Sequence, residues 1–223
     1  MHEIADPIAC IDCPLQDCPG LRPLEEHQLA FMQGFKEGEV ALARGELLIS
    51  EGQSHQQLYT LLGGVLIRWR SLADGRRQIV NFMFPGDLVG LQGAFDDPSA
   101  HSVEALLASR LCVFQRPKFE NLIAKHPRLG YDVIWMAAEE ESALEEHLVA
   151  LGRRSAKERV TYLAVFLMDR AKSVGMADDD NRLALPIRQA QIADMLGLSL
   201  VHTNRTLRQL AREGLVDWQS RRI

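Results

Sequence analysis

Short hydrophobic stretches separated by glycine fill the chain from about Glu39 to Gln115. Residues 65–70 alternate between two faces, as a strand does, and Asp74-Gly75 follows them as a hairpin turn. On the return strand we expect four side chains on one face: Gln78, Val80, Phe82 and Phe84. Closely spaced strands with turn residues between them predict an antiparallel barrel or jelly roll.

After residue 116 the hydrophobic spacing changes to three and four, which predicts helices. A short helix is expected at 117–125, and a long one at about 129–152, a rod of roughly 35 Å. Its narrow apolar stripe is typical of a parallel dimer seam, although packing against its own barrel is the alternative. The predicted seam contains Ile134, Ala137, Glu141, Leu144, Leu148 and Leu151. A further helix is expected at 155–173, with Ser155 as N-cap and Glu158 as its capping-box partner.

Residues 188–213 carry the strongest functional pattern. A helix at 188–196, a turn at Gly197, a cap at Ser199 and a second helix at 200–213 form the plan of a helix-turn-helix, whose second helix enters the DNA major groove. Arg205 suits guanine and Asn204 suits adenine. The predicted DNA-contacting residues are Ser199, Val201, His202, Asn204, Arg205 and Arg208. A β-hairpin wing is expected after Gly214, with strands at 215–218 and 221–223, its second strand cut short where the sequence ends.

The composition, 47% hydrophobic and 25% charged, is ordinary for a soluble globular protein. No apolar run is long enough to span a membrane, and the N-terminus lacks the features of a secretory signal, so we expect a cytoplasmic protein without membrane contact. Residues 182–223 contain seven arginines and three acids, a net charge of +4, while the whole chain carries −5. A basic module on an acidic body fits a DNA-binding head.

Together these patterns predict an α+β protein in four parts. Residues 1–20 form an irregular arm with three cysteines, and residues 21–127 form the jelly-roll sensor domain. Residues 128–153 form the dimerisation helix, and residues 154–223 form the winged helix-turn-helix.

This order of elements resembles the CRP/FNR superfamily of bacterial regulators. The resemblance covers nearly the whole chain and rests on residues 85–90 (PGDLVG), 155–159 (SAKER) and 192–199 (IADMLGLS), followed by Asn204-Arg205. It implies a homodimer that binds near-palindromic double-stranded DNA, with RNA polymerase as a further partner. Cyclic AMP-binding members carry Gly-Glu and Arg-Ser-Ala elements. This chain has Gly86-Asp87 and Ala100-His101-Ser102-Val103 there, and since the phosphate-binding arginine is missing, cyclic AMP is not expected.

The cysteines are similar to those of the oxygen-sensing FNR branch. That resemblance implies a [4Fe–4S] cluster held by Cys10, Cys13, Cys18 and Cys112, and four thiolates are a usual ligand set for such a cluster. A four-thiolate zinc site, a thiol/disulfide switch and cysteines without a ligand remain alternatives. The recognition helix has Val201 and Asn204 where that branch has Glu and Ser, so we do not carry the branch's target sequence over.

Two other classes of protein are alternatives to a regulator with a cluster. A cupin-type metal enzyme needs clustered ligands, but the barrel segment offers only His55 and His101, far apart in sequence, and we therefore expect no enzyme. A regulator that binds haem or an organic acid in the barrel is the other alternative, although no motif supports an axial haem ligand.

Overall fold

The computed structural model describes residues 2–91, 98–178, 180, 182–218 and 223. Its N-terminal part is a barrel of two antiparallel sheets, in the order β1-β2-β9-β4-β7 for the first sheet and β3-β8-β5-β6 for the second. The strands are β1 (His2–Glu3), β2 (Gly38–Leu42), β3 (Leu47–Ile49), β4 (Gln57–Gly63), β5 (Leu66–Ser71), β6 (Arg77–Met83), β7 (Leu88–Val89), β8 (Ser102–Ala105) and β9 (Ser109–Gln115). The predicted jelly-roll sensor domain is confirmed.

The interior of the barrel is formed by side chains from both sheets. Leu61 and Leu111 of the first sheet and Leu66 and Val103 of the second are fully buried in one hydrophobic cluster. Alternation along the strands turns these residues inward and leaves the outer faces to pack against helices. The outer face of the first sheet carries Cys112 and Phe114, and the outer face of the second carries Ile67 and Phe82.

A β-bulge changes the faces on the β5–β6 hairpin. Arg68 pairs with Asn81, but the next residue, Trp69, pairs with Ile79, so Val80 is an extra residue on β6. Because a bulge shifts the alternation of side chains by one position, Ile79 joins Phe82 in the same buried cluster. The prediction that Val80 shares this face was therefore wrong.

Six helices are described: α1 (Glu26–Phe35), α2 (Phe119–Lys125), α3 (Pro127–Arg153), α4 (Ala156–Ser173), α5 (Gln189–Leu196) and α6 (Leu200–Arg212). A turn of 3-10 helix, Arg116–Lys118, replaces the predicted first turn of α2. The long helix α3 begins two residues earlier than predicted, because a proline at the first helical position needs no partner for a backbone N–H. The capping box of α4 is confirmed: Ser155 Oγ accepts from the Glu158 N–H, and Glu158 Oε2 accepts from the Ser155 N–H.

The C-terminal helices pack on the outer face of the second sheet. One continuous hydrophobic cluster joins Ile67 and Phe82 of the barrel to Leu163 of α4 and Ile192 of α5. Polar contacts also cross this boundary: Arg77 Nε lies 2.9 Å from Asp194 Oδ2 at α5, and Arg170 of α4 forms an ion pair with Asp87. The two domains of the protomer therefore share a core.

The predicted wing differs from the structure. No strand is formed at residues 215–218; instead Ile223 exchanges two backbone hydrogen bonds with Leu183, of 2.9 and 3.0 Å, in the segment before α5. The predicted turn and the arginines at 221 and 222 lie outside the described residues.

Candidate functional site

Helices α5 and α6 form the predicted helix-turn-helix. Gly197 ends α5 with a φ of 61°, a conformation that glycine adopts at little cost, and Ser199 Oγ accepts a hydrogen bond of 3.2 Å from the His202 N–H at the start of α6. The inner face of α6 is buried through Thr203 and Leu207. The glycine turn and the serine cap set the angle between the helices, and the face of α6 opposite Thr203 and Leu207 is left free.

The free face of α6 presents most of the predicted DNA-contacting residues. Val201 is 81% exposed, and Arg205 and Arg208 are also exposed, while His202 is half-buried. An arginine fork on an exposed face suits both the edge of guanine and phosphate oxygens.

Asn204 is placed differently from the other predicted contacts. Its Nδ2 donates a hydrogen bond of 2.8 Å to Oε1 of Gln189, the first residue of α5. A contact with adenine would therefore use Oδ1 and the second amide hydrogen of Asn204. Gln189 was not among the candidates, because a single glutamine at the start of a helix carries no distinguishing pattern in the sequence.

The N-terminal arm brings cysteines to the outer face of the first sheet. Cys10, Cys13 and Cys112 line one apolar cavity of about 210 Å³, which α3 closes on one side with Val133 and Met136. Cys18 does not line this cavity; its Sγ lies 3.7 Å from the carbonyl oxygen of Pro14. Among the described residues, no three His, Cys, Asp or Glu side chains lie close enough to hold a metal ion as they stand.

The environment of the four thiols favours their protonated form. Burial raises the pKa of each thiol, and it raises the pKa of Cys112 to about 12. The ammonium of Lys36 opposes this shift in the pKa of Cys10, Cys13 and Cys112. Buried neutral thiols are poor nucleophiles, whereas a metal ion deprotonates the thiols that it binds. The sulfur donors and the apolar cavity therefore fit a thiolate-bound metal centre in kind, provided that all four cysteines move closer together, Cys18 included.

Helix α3 exposes part of the predicted dimer seam. Ile134 is 66% and Leu148 71% exposed, and Glu141 between them is exposed too. Leu144 and Leu151 are half-buried within the protomer: Leu144 lines a second cavity, and Leu151 lies beside Gly197. The exposed stripe includes residues that the prediction lacked, namely Tyr131, Trp135 and Val149.

The second cavity, of about 230 Å³, lies between the barrel and α3. Arg68, His101 and Glu140 are among its lining residues, and Arg68 forms an ion pair with Glu140. Asp87, which also lines it, pairs with Arg170 and accepts from the Phe84 N–H. Neither Arg68 nor Glu140 was predicted as a site residue, because each occupies a position in its element that the hydrophobic pattern assigned to solvent.

A barrel-shaped sensor domain, a long helix with an exposed apolar stripe and a C-terminal helix-turn-helix define a DNA-binding transcription regulator. Residues 39–126 match the cyclic nucleotide-binding domain family, and residues 162–223 match the Crp-like helix-turn-helix domain family. The chain belongs to the CRP/FNR family of transcription regulators. No helix in the described part of the chain has the length and apolar character that a membrane span requires.

The similarity to known regulators extends along most of the length of both chains. The nitrogen fixation regulation protein FixK of Bradyrhizobium diazoefficiens is 32% identical over 208 residues, which cover 93% of this chain and 85% of the relative. The transcriptional activator protein FnrL of Cereibacter sphaeroides is 27% identical over 100% of this chain and 90% of its own length. The structure of FixK2 from Bradyrhizobium japonicum superposes with a TM-score of 0.70 at 26% identity, covering 83% of this chain and 90% of that one. These relatives are transcription regulators and not enzymes.

Proposed function

We propose that this regulator is a cytoplasmic protein that responds to oxygen through a [4Fe–4S] cluster held by Cys10, Cys13, Cys18 and Cys112. One observation carries the proposal: three of these four cysteines line a single apolar cavity whose wall includes the long helix α3. The similarity to FnrL along the whole chain supports the same branch of the family. When bound, the cluster supplies a centre that oxygen destroys.

The protein residues around this cavity connect the cysteine arm to the dimer stripe. Val133, Trp135 and Met136 line the cavity, while Trp135 is also partly exposed and Ile134 on the same turns of α3 is exposed. Any change in how the arm is held therefore changes the packing of the helix that forms the proposed homodimer seam. Glu141 lies within that stripe, and two facing carboxylates lose hydration and repel each other, so the metal-free dimer is expected to be weak.

In the dimer, two copies of α6 contact successive major grooves of one duplex. The half-sites then lie about one turn of DNA apart, and the target is a near-palindrome. The residues that face the DNA are Ser199 and the exposed Val201, Arg205 and Arg208. RNA polymerase is the further protein partner of the DNA-bound dimer at the promoter. A selection from random oligonucleotides with the anaerobic protein should enrich such a site, and enrichment of no sequence would overturn this part.

The test of the cluster is purification without oxygen, followed by a visible spectrum and metal analysis. The expected result is a brown protein with broad absorption, about four irons per chain as the cluster type requires, and loss of colour and of specific DNA binding in air. The Cys18→Ser variant should lose the colour, and Cys112→Ser should do the same. A sharp Soret band would indicate haem, and a colourless protein containing zinc would indicate a structural zinc site; either result contradicts the proposal.

A regulator without a cluster is the second candidate, because the second cavity also adjoins α3. It is large enough for a small polar effector, and it contains the Arg68–Glu140 ion pair. A colourless, metal-free protein whose melting temperature rises with an added organic acid would favour this candidate. A metal-free protein that instead binds DNA only when reduced would favour thiol oxidation.

A further inference from the structure

The N-terminal arm is seated on the barrel along most of its length. Strand β1 pairs with β2, with His2 opposite Ala41 and Glu3 opposite Val40, and the Ile4 N–H donates to the carbonyl oxygen of Glu39 at 2.9 Å. The arm therefore extends the first sheet by a short edge strand. Because so short a strand is weak alone, other contacts must hold the residues that lead to Cys10.

A buried ion cluster meets the arm at Ile8. Glu39 Oε1 accepts from the Ile8 N–H at 2.9 Å, and Lys36 Nζ donates to the Ile8 carbonyl oxygen at 2.5 Å. Lys36 and Glu39 also pair with each other at 2.6 Å. Arg110 of β9 donates to the other oxygen of Glu39 and, at 3.3 Å, to the carbonyl oxygen of Asp6. Both backbone groups of one arm residue are thus bound by charged side chains.

These charges are removed from water. The side chain of Glu39 is completely buried and that of Lys36 is 3% exposed, while Arg110 reaches the surface. Burying charges is costly unless every group is paired, and the arm supplies part of the pairing. If the arm left the barrel, Lys36 would lose an acceptor and Glu39 a donor. This ion cluster of Lys36, Glu39 and Arg110 therefore disfavours release of the arm from the barrel.

The same contacts place the first cysteines. Cys10 follows Ile8 by two residues, and its N–H donates to Oε1 of Gln33 on α1 at 2.7 Å. The cluster adds two positive charges and one negative charge, a net positive charge beside the cavity that Cys10, Cys13 and Cys112 line. A positive charge at this place complements the negative charge of ligating thiolates.

We propose that Lys36, Glu39 and Arg110 form an arm clamp that seats residues 2–10 on the barrel before any metal binds, with Lys36 as the positioning residue for Cys10. The seating of the arm does not depend on the proposed function, whereas its consequence for metal loading rests on that function.

The first test measures hydrogen exchange in the full-length, reduced, metal-free protein. The wild type should protect the amides of Ile8 and Cys10, and Lys36→Met should reduce this protection about tenfold or more, because hydrogen bonds to charged groups are the stronger ones. Lys36→Arg should restore most of it. The matched control is Lys118→Met, which removes an exposed ion pair with Glu37 that does not touch the arm.

An unprotected arm in the metal-free wild type would overturn the arm clamp, and so would a Lys36→Met protein that folds and keeps full protection. If Lys36→Met fails to fold by circular dichroism, Arg110→Met replaces it, since Arg110 is 34% exposed and its loss is better tolerated. Of the arm amides that are bonded to the barrel, only that of Ile8 should lose protection from exchange in Arg110→Met. Unchanged exchange at Ile8 would contradict the proposal.

The second test follows anaerobic loading with iron and sulfide by visible absorbance. All four cysteines are intact in Lys36→Met, yet it should load more slowly than the wild type, and Lys36→Arg should recover the wild-type rate. If the wild type takes up no iron, the proposed function fails while the exchange experiment still decides the arm clamp. If Lys36→Met loads as fast as the wild type, the positioning role of Lys36 fails although the cluster proposal survives.

Discussion

His147 provides a test of the packing between the long helix and the two domains. It projects inward from α3 and is 4% exposed, with Nε2 3.3 Å from Asn81 Oδ1 and Nδ1 2.7 Å from the hydroxyl of Tyr162 on α4. Asn81 Oδ1 is an acceptor, so Nε2 carries the hydrogen, and in the neutral ring Nδ1 accepts from the Tyr162 hydroxyl. Burial favours this neutral form of the ring.

The pKa of His147 makes stability depend on pH. This pKa is lowered from 6.5 to about 4, mainly by burial; Glu140 and Glu146 oppose the shift, and Arg68 adds to it. The unfolded chain takes up a proton near pH 6.5, whereas the folded protein does so only near pH 4. Stability therefore falls as the pH decreases between these values, by roughly 3 kcal/mol in total and by about 2 kcal/mol at pH 5.

The assay is urea unfolding of the reduced, metal-free protein at pH 7.5 and pH 5.0. His147→Gln removes the titrating group, so its free energy of unfolding should fall between these pH values by about 2 kcal/mol less than that of the wild type. His101, whose pKa burial also lowers to about 4, supplies pH dependence that both proteins retain. His27→Gln, at an exposed histidine, is the control and should behave as the wild type. Equal losses in the wild type and His147→Gln would refute the reasoning.

Three further substitutions test the seam and the DNA-binding module. Glu141→Leu should give a dimer in air by sedimentation, since it removes the facing carboxylates, whereas Glu139→Leu at another exposed position should not; a monomeric Glu141→Leu would contradict the seam. Arg205→Ala should weaken binding to the selected site by roughly 1–3 kcal/mol and binding to random DNA much less, and an equal loss on both would mean that Arg205 contacts only phosphate. Ser199→Ala removes the cap of α6 and should cost about 1 kcal/mol in urea unfolding; no loss would show that the cap is dispensable.

The helix-turn-helix could be predicted almost residue by residue. Its signals are local: apolar spacing of three and four, a glycine with positive φ, and a serine that caps the next helix. Such signals depend on contacts within a few residues along the chain. The capping box at Ser155 and Glu158 was predictable for the same reason.

The sequence predictions that were wrong concern places where segments distant in sequence meet. The bulge that places Ile79 beside Phe82 is a property of strand pairing, and nothing in the sequence of β6 alone marks it. No strand forms at residues 215–218, where the first strand of a hairpin was predicted, and Ile223 pairs with Leu183, forty residues away. In the candidate site, the resemblance to the FNR branch put four cysteines in one set, but the structure brings only three to the cavity and leaves Cys18 beside Pro14.

The sequence by itself determined the barrel, the helices α2 to α6 and their order, because periodicity and caps act over one or two turns. Tertiary structure alone decided that Lys36, Glu39 and Arg110 meet the arm, that Glu140 pairs with a buried arginine, and that three of the four cysteines line a cavity with α3. The physical reason is that a charged or polar residue counts as polar in the hydrophobic pattern of the sequence, whether its side chain faces water or a buried partner. Only the fold supplies the partner, and with it the free energy that makes burial of the charge possible.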